Sequence, residues 1–122
     1  MATENFFNIN DLDQGIMRKL AEGVTTRVFV GEKAMLSVAR LAPNASGQVH
    51  SHPEEQWGIC IEGSCVRIQD GKEHPVKAGD FWCTPGGVPH GIRAGADGAT
   101  VIDVFSPPRQ EYTKPGEGFG TG

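Results

Sequence analysis

The sequence predicts an all-β fold in a single domain, a sandwich or small barrel. Three observations point there. The chain has 122 residues with 17 Gly and 8 Pro, so it turns often and leaves no room for long helices. Roughly nine short apolar segments alternate with turn dipeptides at near-regular spacing. The hydrophobic share is 38%, enough for a modest core and too much for a wholly disordered chain.

The elements follow in order. Residues 1–10 are polar with two Phe and are expected to form a loose arm. Residues 11–22 allow a helix with Asp11 as N-cap, but a strand around 16–20 is preferred. Val28-Phe29-Val30 runs into Gly31-Glu32, a two-residue hairpin signal, and residues 34–41 alternate until Pro43-Asn44. Segments 56–61 and 65–69 flank Glu62-Gly63, which reads as a second tight turn. Asp70-Gly71 is the strongest turn dipeptide and leads into 73–77. Strands over 81–84, 88–93 and 100–105 complete the set. The barrel core spans about residues 24–106. The Pro- and Gly-rich tail, 107–122, is expected to run over the surface.

Charge and composition exclude several classes of partner. The net charge is −4 and the pI about 5.5, which argues against nucleic acid or an anionic membrane. No apolar run approaches the length of a membrane helix. No basic patch precedes an apolar stretch near the start, so no secretory leader is expected. Three Cys make no disulfide framework. A cytoplasmic protein with reduced thiols is the expectation.

Chemistry concentrates in the histidines. His50 and His52 are two residues apart, which on a strand puts both rings on one face. Gln56 follows four residues on and His90 another 34 residues on. An isolated pair of this kind is as readily a surface pair as a metal site; the full spacing is more telling. His74, beside a turn, is expected to be solvated.

Residues 49–63 (VHSHPEEQWGICIEG) and 79–90 (GDFWCTPGGVPH) resemble the two motifs of the cupin superfamily. The resemblance implies a double-stranded β-helix, a jelly-roll barrel, holding a divalent transition metal (Ni, Zn, Mn or Fe). Its ligands would be His50, His52, Gln56 and His90. Three positions depart from the pattern. Asn44 stands where Gly is frequent, but Asn tolerates the left-handed conformation. Ala94 stands where Asn is frequent. Gln56 replaces a carboxylate, so the site keeps its full positive charge, which favours Lewis-acid over redox chemistry.

Residues 103–109 (DVFSPPR), taken with HSHPEEQ and PGGVPHG, resemble the small cupins of pectin and alginate breakdown. Those enzymes convert unsaturated monouronates to linear keto forms, and the resemblance implies catalytic or substrate-contacting roles for Asp103, Phe105 and Arg109. The residue types suit that chemistry. Asp103 and Phe105 share a strand face. A partly buried Asp can shuttle a proton near neutrality. Arg109, behind two stiffening prolines, can hold the carboxylate of a small sugar acid in a bidentate fork, and Phe105 would pack its ring. The plainer readings are a solvated Asp103, a core Phe105 and an Arg109 that is mobile or an interface contact. An Fe(II) dioxygenase, a small-acid lyase and a non-enzymatic sugar-binding cupin are the alternative functions.

A Glu62-Gly63 hairpin would set Cys60 opposite Cys65, close enough to bridge, although thiols are expected in cytosol. It would also put Gln56, Gly58, Cys60, Cys65 and Arg67 on one face. Arg67 would then enter the pocket or form an ion pair at its rim, and the rim is preferred. The other face carries Trp57, Ile59, Ile61, Val66 and Ile68. Such an apolar stripe needs cover, from a homodimer partner or, failing that, from the N-terminal arm.

Overall fold

The computed structural model describes residues 5–118. It contains β1 (Ile16–Ala21), β2 (Val24–Val30), β3 (Met35–Leu41), β4 (Glu55–Gln69), β5 (Lys72–Lys77), β6 (Phe81–Thr84), β7 (His90–Ser106) and β8 (Gly116–Glu117). One 3-10 turn covers Gln110–Thr113. All strands join one sheet in the order β5-β4-β7-β3-β2-β1-β8, with β6 also on β4. The end strands do not pair with each other, so the jelly roll stays open along one seam. The strand expected over 16–20 is β1.

Alternation explains which side chains fill the interior. On β2, Val24, Thr26 and Val28 point in; on β3, Met35, Ser37, Ala39 and Leu41 do. Thr26 and Ser37 are buried polar groups and hydrogen-bond each other, which removes the penalty of burying either alone. Asp70 and Gly71 have φ of 53° and 78° and join Gln69 to Lys72, the two-residue turn that the dipeptide signals. Asn44 is left-handed at φ 62°, so it takes the conformation expected where Gly is frequent. Between β2 and β3 the ladder ends at Val30 and Met35 and Gly31 N donates to Ala34 O at 2.8 Å, so the turn closes over Glu32-Lys33, one residue later than the dipeptide signals.

The expected Glu62-Gly63 hairpin is absent. β4 runs through without reversal, 15 residues long, with bulges between Cys60 and Glu62 and between Gly63 and Cys65. These bulges lie where β4 changes its edge partner from β6 to β5. Gly63 sits there at φ +79° with Gly98 O only 2.0 Å from where a Cβ would lie. The left-handed Gly therefore serves a close strand crossing, not a reversal. Segment 100–105 and residues 90–93 of segment 88–93 are likewise parts of one strand, β7, 17 residues long. Cys60 and Cys65 are consequently not cross-strand partners; both are buried free thiols. Five positions apart on a plain strand they would face opposite ways. The bulges reverse that parity, so the inward face is the expected one, for a different reason.

The tail also differs from expectation. Residues 110, 111 and 114–117 do lie on the surface, but the segment also folds back across the barrel, and Arg109 and Tyr112 are 0% and 2% exposed. Arg18 on β1 fastens it, donating to the carbonyls of Lys114, Glu117 and Gly118 at 3.3, 2.9 and 3.0 Å, while β8 pairs parallel with β1. Of the arm, residues 1–4 lie outside the described residues, as do 119–122 of the tail. Phe7 packs on Phe29 with centroids 4.6 Å apart, well away from the β4 stripe.

Candidate metal centre and active site

The two cupin-like segments meet through backbone pairing. His50 and His90 exchange N–H···O bonds at 2.9 and 2.8 Å. His50 does not lie on a named strand as expected; it sits in an extended loop held to the start of β7 by that bridge. The Pro85-Gly86-Gly87 turn packs against the same loop. Gly87 N donates to His52 O at 2.8 Å, and a Cβ on Gly86 would lie 2.2 Å from Pro53 O. Gly86 is thus required for space.

The three rings converge. Centroid separations are 4.6 Å for His50–His90, 4.8 Å for His52–His90 and 5.8 Å for His50–His52. One nitrogen from each lies within 4.8 Å of the other two. Each Nδ1 faces a backbone carbonyl: Gln48 at 2.9 Å, Glu54 at 3.1 Å and Val88 at 2.9 Å. A carbonyl only accepts, so each Nδ1 carries the proton and each Nε2 presents a lone pair. Burial, reinforced by the nearby guanidinium groups, lowers the pKa of His50 to about 4 and of His90 to about 3, and lowers that of His52. All three are neutral at pH 7, the form that binds metal.

The donor set fits a cation. Gln56 donates from Nε2 to Asp103 Oδ1 at 3.0 Å, which turns its Oε1 toward His52 Nε2, also 3.0 Å away. Two acceptors then face each other with no proton between them, an arrangement that a positive ion relieves. His90 Nε2 is fully buried with no hydrogen-bond partner, and His50 Nε2 meets the Arg109 guanidinium at 3.4 Å. Three imidazoles and an amide oxygen would hold a divalent transition ion.

Asp103 and Phe105 both face inward, as their spacing requires, and line the same cavity as His50, Gln56, His90 and Arg109. Burial pushes the Asp103 carboxyl up, while Arg67 and the Gln56 amide act against it. Phe105 is 2% exposed and packs edge-on to His52 and Tyr112 at 5.5 and 5.6 Å. It is at once core and cavity wall. Arg109 stacks on Tyr112 at 4.4 Å and approaches Glu111 at 3.7 Å, so it is a fixed interior group rather than a mobile one. Arg67 corrects the preferred rim reading: it is 5% exposed and points inside, donating to Thr84 Oγ1 at 2.9 Å. His74 is exposed. Burial raises the Cys60 and Cys65 thiols, the latter to about 12, so neither is a nucleophile at neutral pH.

Sequence reading missed Tyr112, Arg18 and Thr84. Tyr112 is the chain's single Tyr, but nothing local tells that it returns to the barrel.

The cupin domain family matches residues 37–105, more than half of the chain. The chain is a cupin. It is 38% identical over 91 residues to oxalate decarboxylase OxdC of Bacillus subtilis, covering 70% of this chain and 24% of that one. The cupin thus spans about a quarter of that enzyme's length. It is 24% identical over 102 residues to the pectin degradation protein KdgF of Dickeya dadantii, covering 82% of this chain and 93% of that one. The solved structure of KdgF from Halomonas sp. superposes with a TM-score of 0.77 at 23% identity, over 88% of this chain and 96% of that one, and shows the shared fold. Among the described residues, no helix is long and apolar enough to cross a membrane.

Proposed function

We propose that this cupin is a metal-dependent enzyme that ketonises unsaturated uronates. The observation that carries the reading is the double engagement of Gln56. Its oxygen faces the histidine cluster and its amide N–H holds the Asp103 carboxylate. One side chain thereby ties the metal ligands to the acid–base group. Coverage of nearly the whole length of a pectin degradation protein supports the substrate class.

Converting an enol to a ketone takes a proton from oxygen and delivers one to carbon. The bound metal would act as a Lewis acid toward substrate oxygens. Asp103 is the only carboxylate among the cavity residues, and its Oδ1 is held by the Gln56 amide. With Oδ1 fixed by Gln56, Oδ2 is the atom that exchanges the proton. Its raised pKa brings proton uptake and release nearer neutrality. Arg109 sets a fixed positive charge beside the reacting oxygens, and Phe105 shields the site from water.

The test is ultraviolet absorbance of unsaturated uronates, which falls as the conjugated double bond is lost. The metal-loaded cupin is expected to speed that fall and a chelator to stop it; no fall with metal-replete protein rejects the reading. The likeness to oxalate decarboxylase favours a second reading, an enzyme of small dicarboxylic acids. Release of CO₂ from oxalate, with uronates untouched, would support it.

We also propose a homodimer across the outer face of β4. Trp57 and Ile61 are 47% and 37% exposed there, next to Phe81 at 68%. Register extends the apolar surface across Trp57, Val104 and Leu36 on three neighbouring strands. The described part of the arm, through Phe7 and Ile9, shares a pocket with Leu36 and Val104 at one end of this surface and leaves Trp57 and Ile61 exposed. Trp57→Asp should yield monomers by light scattering; a dimer that persists removes this face as the interface.

A further inference from the structure

The cavity beside the histidines is small, about 40 Å³. That volume takes the reacting end of a substrate and not a whole six-carbon acid. A second space, a groove of about 470 Å³, opens between β5 and β6 on the inner side of the barrel. Arg67 is the residue that lines both.

Arg67 is a buried guanidinium with little to do in the fold. Its Nη2 donates to Thr84 Oγ1, and Thr84 in turn donates to Gln69 Oε1 at 2.6 Å. The Nε is buried without a partner. No carboxylate lies within ion-pair distance of it among the described residues, and the one whose charge acts on it, Asp103, lines the same cavity without contact. A buried charge without a counter-ion in contact is costly. Beside it, the Trp82 ring lies 5.6 Å from the guanidinium carbon, and Trp82 Nε1 is a second buried donor with no acceptor. Gly58 makes the seat for this indole, since a Cβ there would be 2.6 Å from Nε1. Two buried donors without acceptors thus lie on neighbouring side chains where the groove adjoins the cavity, the indole N–H on the side of Gly58. Asp80, the acid on the groove wall, is turned away to the Lys77 side chain at 3.8 Å and its backbone N–H at 3.0 Å. Arg109, by contrast, is engaged by Tyr112, Glu111 and His50.

We propose that Arg67, with Trp82 beside it, is the seat of the substrate carboxylate, and that the sugar portion lies along the groove toward His74. The assignment deepens the uronate reading and rests on it for the substrate class. It moves the carboxylate from Arg109, where sequence alone places it, to the opposite wall. Arg109 then faces the negative charge that builds on the reacting oxygen.

The test is calorimetric binding of D-galacturonate and its uncharged methyl ester. The wild-type protein is expected to prefer the acid by about tenfold or more, the usual worth of a hydrogen bond to a charged group. Arg67→Gln should bring acid and ester to within about twofold, Arg67→Lys should keep part of the preference, and Arg109→Gln should keep most of it. Trp82→Phe, which removes only the indole N–H, should cut the preference by about threefold and serves if Arg67→Gln does not fold. The proposal is overturned if the wild type shows no preference, if Arg67→Gln or Trp82→Phe retains it in full, or if Arg109→Gln is the variant that loses it. Turnover is read separately. An intact acid preference without uronate ketonisation rejects the reaction and leaves Arg67 as the carboxylate seat.

Discussion

Asp103→Asn should lower kcat on unsaturated uronates by about 10³-fold with metal content unchanged, as loss of a positioned acid–base group does. The substitution keeps size and shape. An amide at 103 can still accept the Gln56 N–H through its carbonyl oxygen, so the ligand set keeps its support. It cannot exchange a proton at neutral pH. Elemental analysis and kcat measured on one preparation separate the two effects. A kcat near the wild-type value would remove Asp103 from the reaction; loss of metal would make its role structural.

Gln56→Glu is the second large effect, and it bears on the feature that sets this chain apart from the common cupin pattern. A carboxylate is the stronger metal ligand, so metal should be retained at least as well. It cannot donate to Asp103, though, and would put two carboxylates about 3 Å apart. Like charges that close do not both ionise readily, so one proton becomes shared and the pKa of the pair rises. The expected result is a kcat lower by about 10²-fold at pH 7, together with an upward move of the acid limb of the pH–rate profile. The direction follows from the proton: Asp103 must be free to release it, and a raised pKa postpones release to higher pH. An unchanged profile would mean that the Gln56 amide does no more than ligate.

Much of this arrangement was legible before any coordinates. The Asp70-Gly71 turn and the shared face of Asp103 and Phe105 follow from local rules of turn chemistry and period two, whereas the His50/His52/Gln56/His90 set is implied by the resemblance to the cupin motifs. Long-range effects were not legible. Glu62-Gly63 carries a hairpin's residues, but whether a left-handed Gly reverses a strand or bulges it depends on what lies across it, here Gly98 O. Arg67 shares the Gln56 face in the sequence reading too, but it reads as a rim group because a lone Arg near a strand end is normally solvated; its burial is set by Thr84, distant in sequence. The tail looks unstructured by composition, and its return is set by Arg18, about a hundred residues earlier in the chain. Nothing near Arg109 or Tyr112 records that partner.

The most direct measurement is metal content after equilibrium dialysis of chelated protein against a divalent transition ion, followed by elemental analysis. The wild type should hold one equivalent, and His90→Ala, which deletes the buried and otherwise unpartnered Nε2, should hold almost none while remaining folded by circular dichroism. A wild type that takes up no ion, or a folded His90→Ala that still binds one in full, would contradict the convergence of these side chains on a single cation.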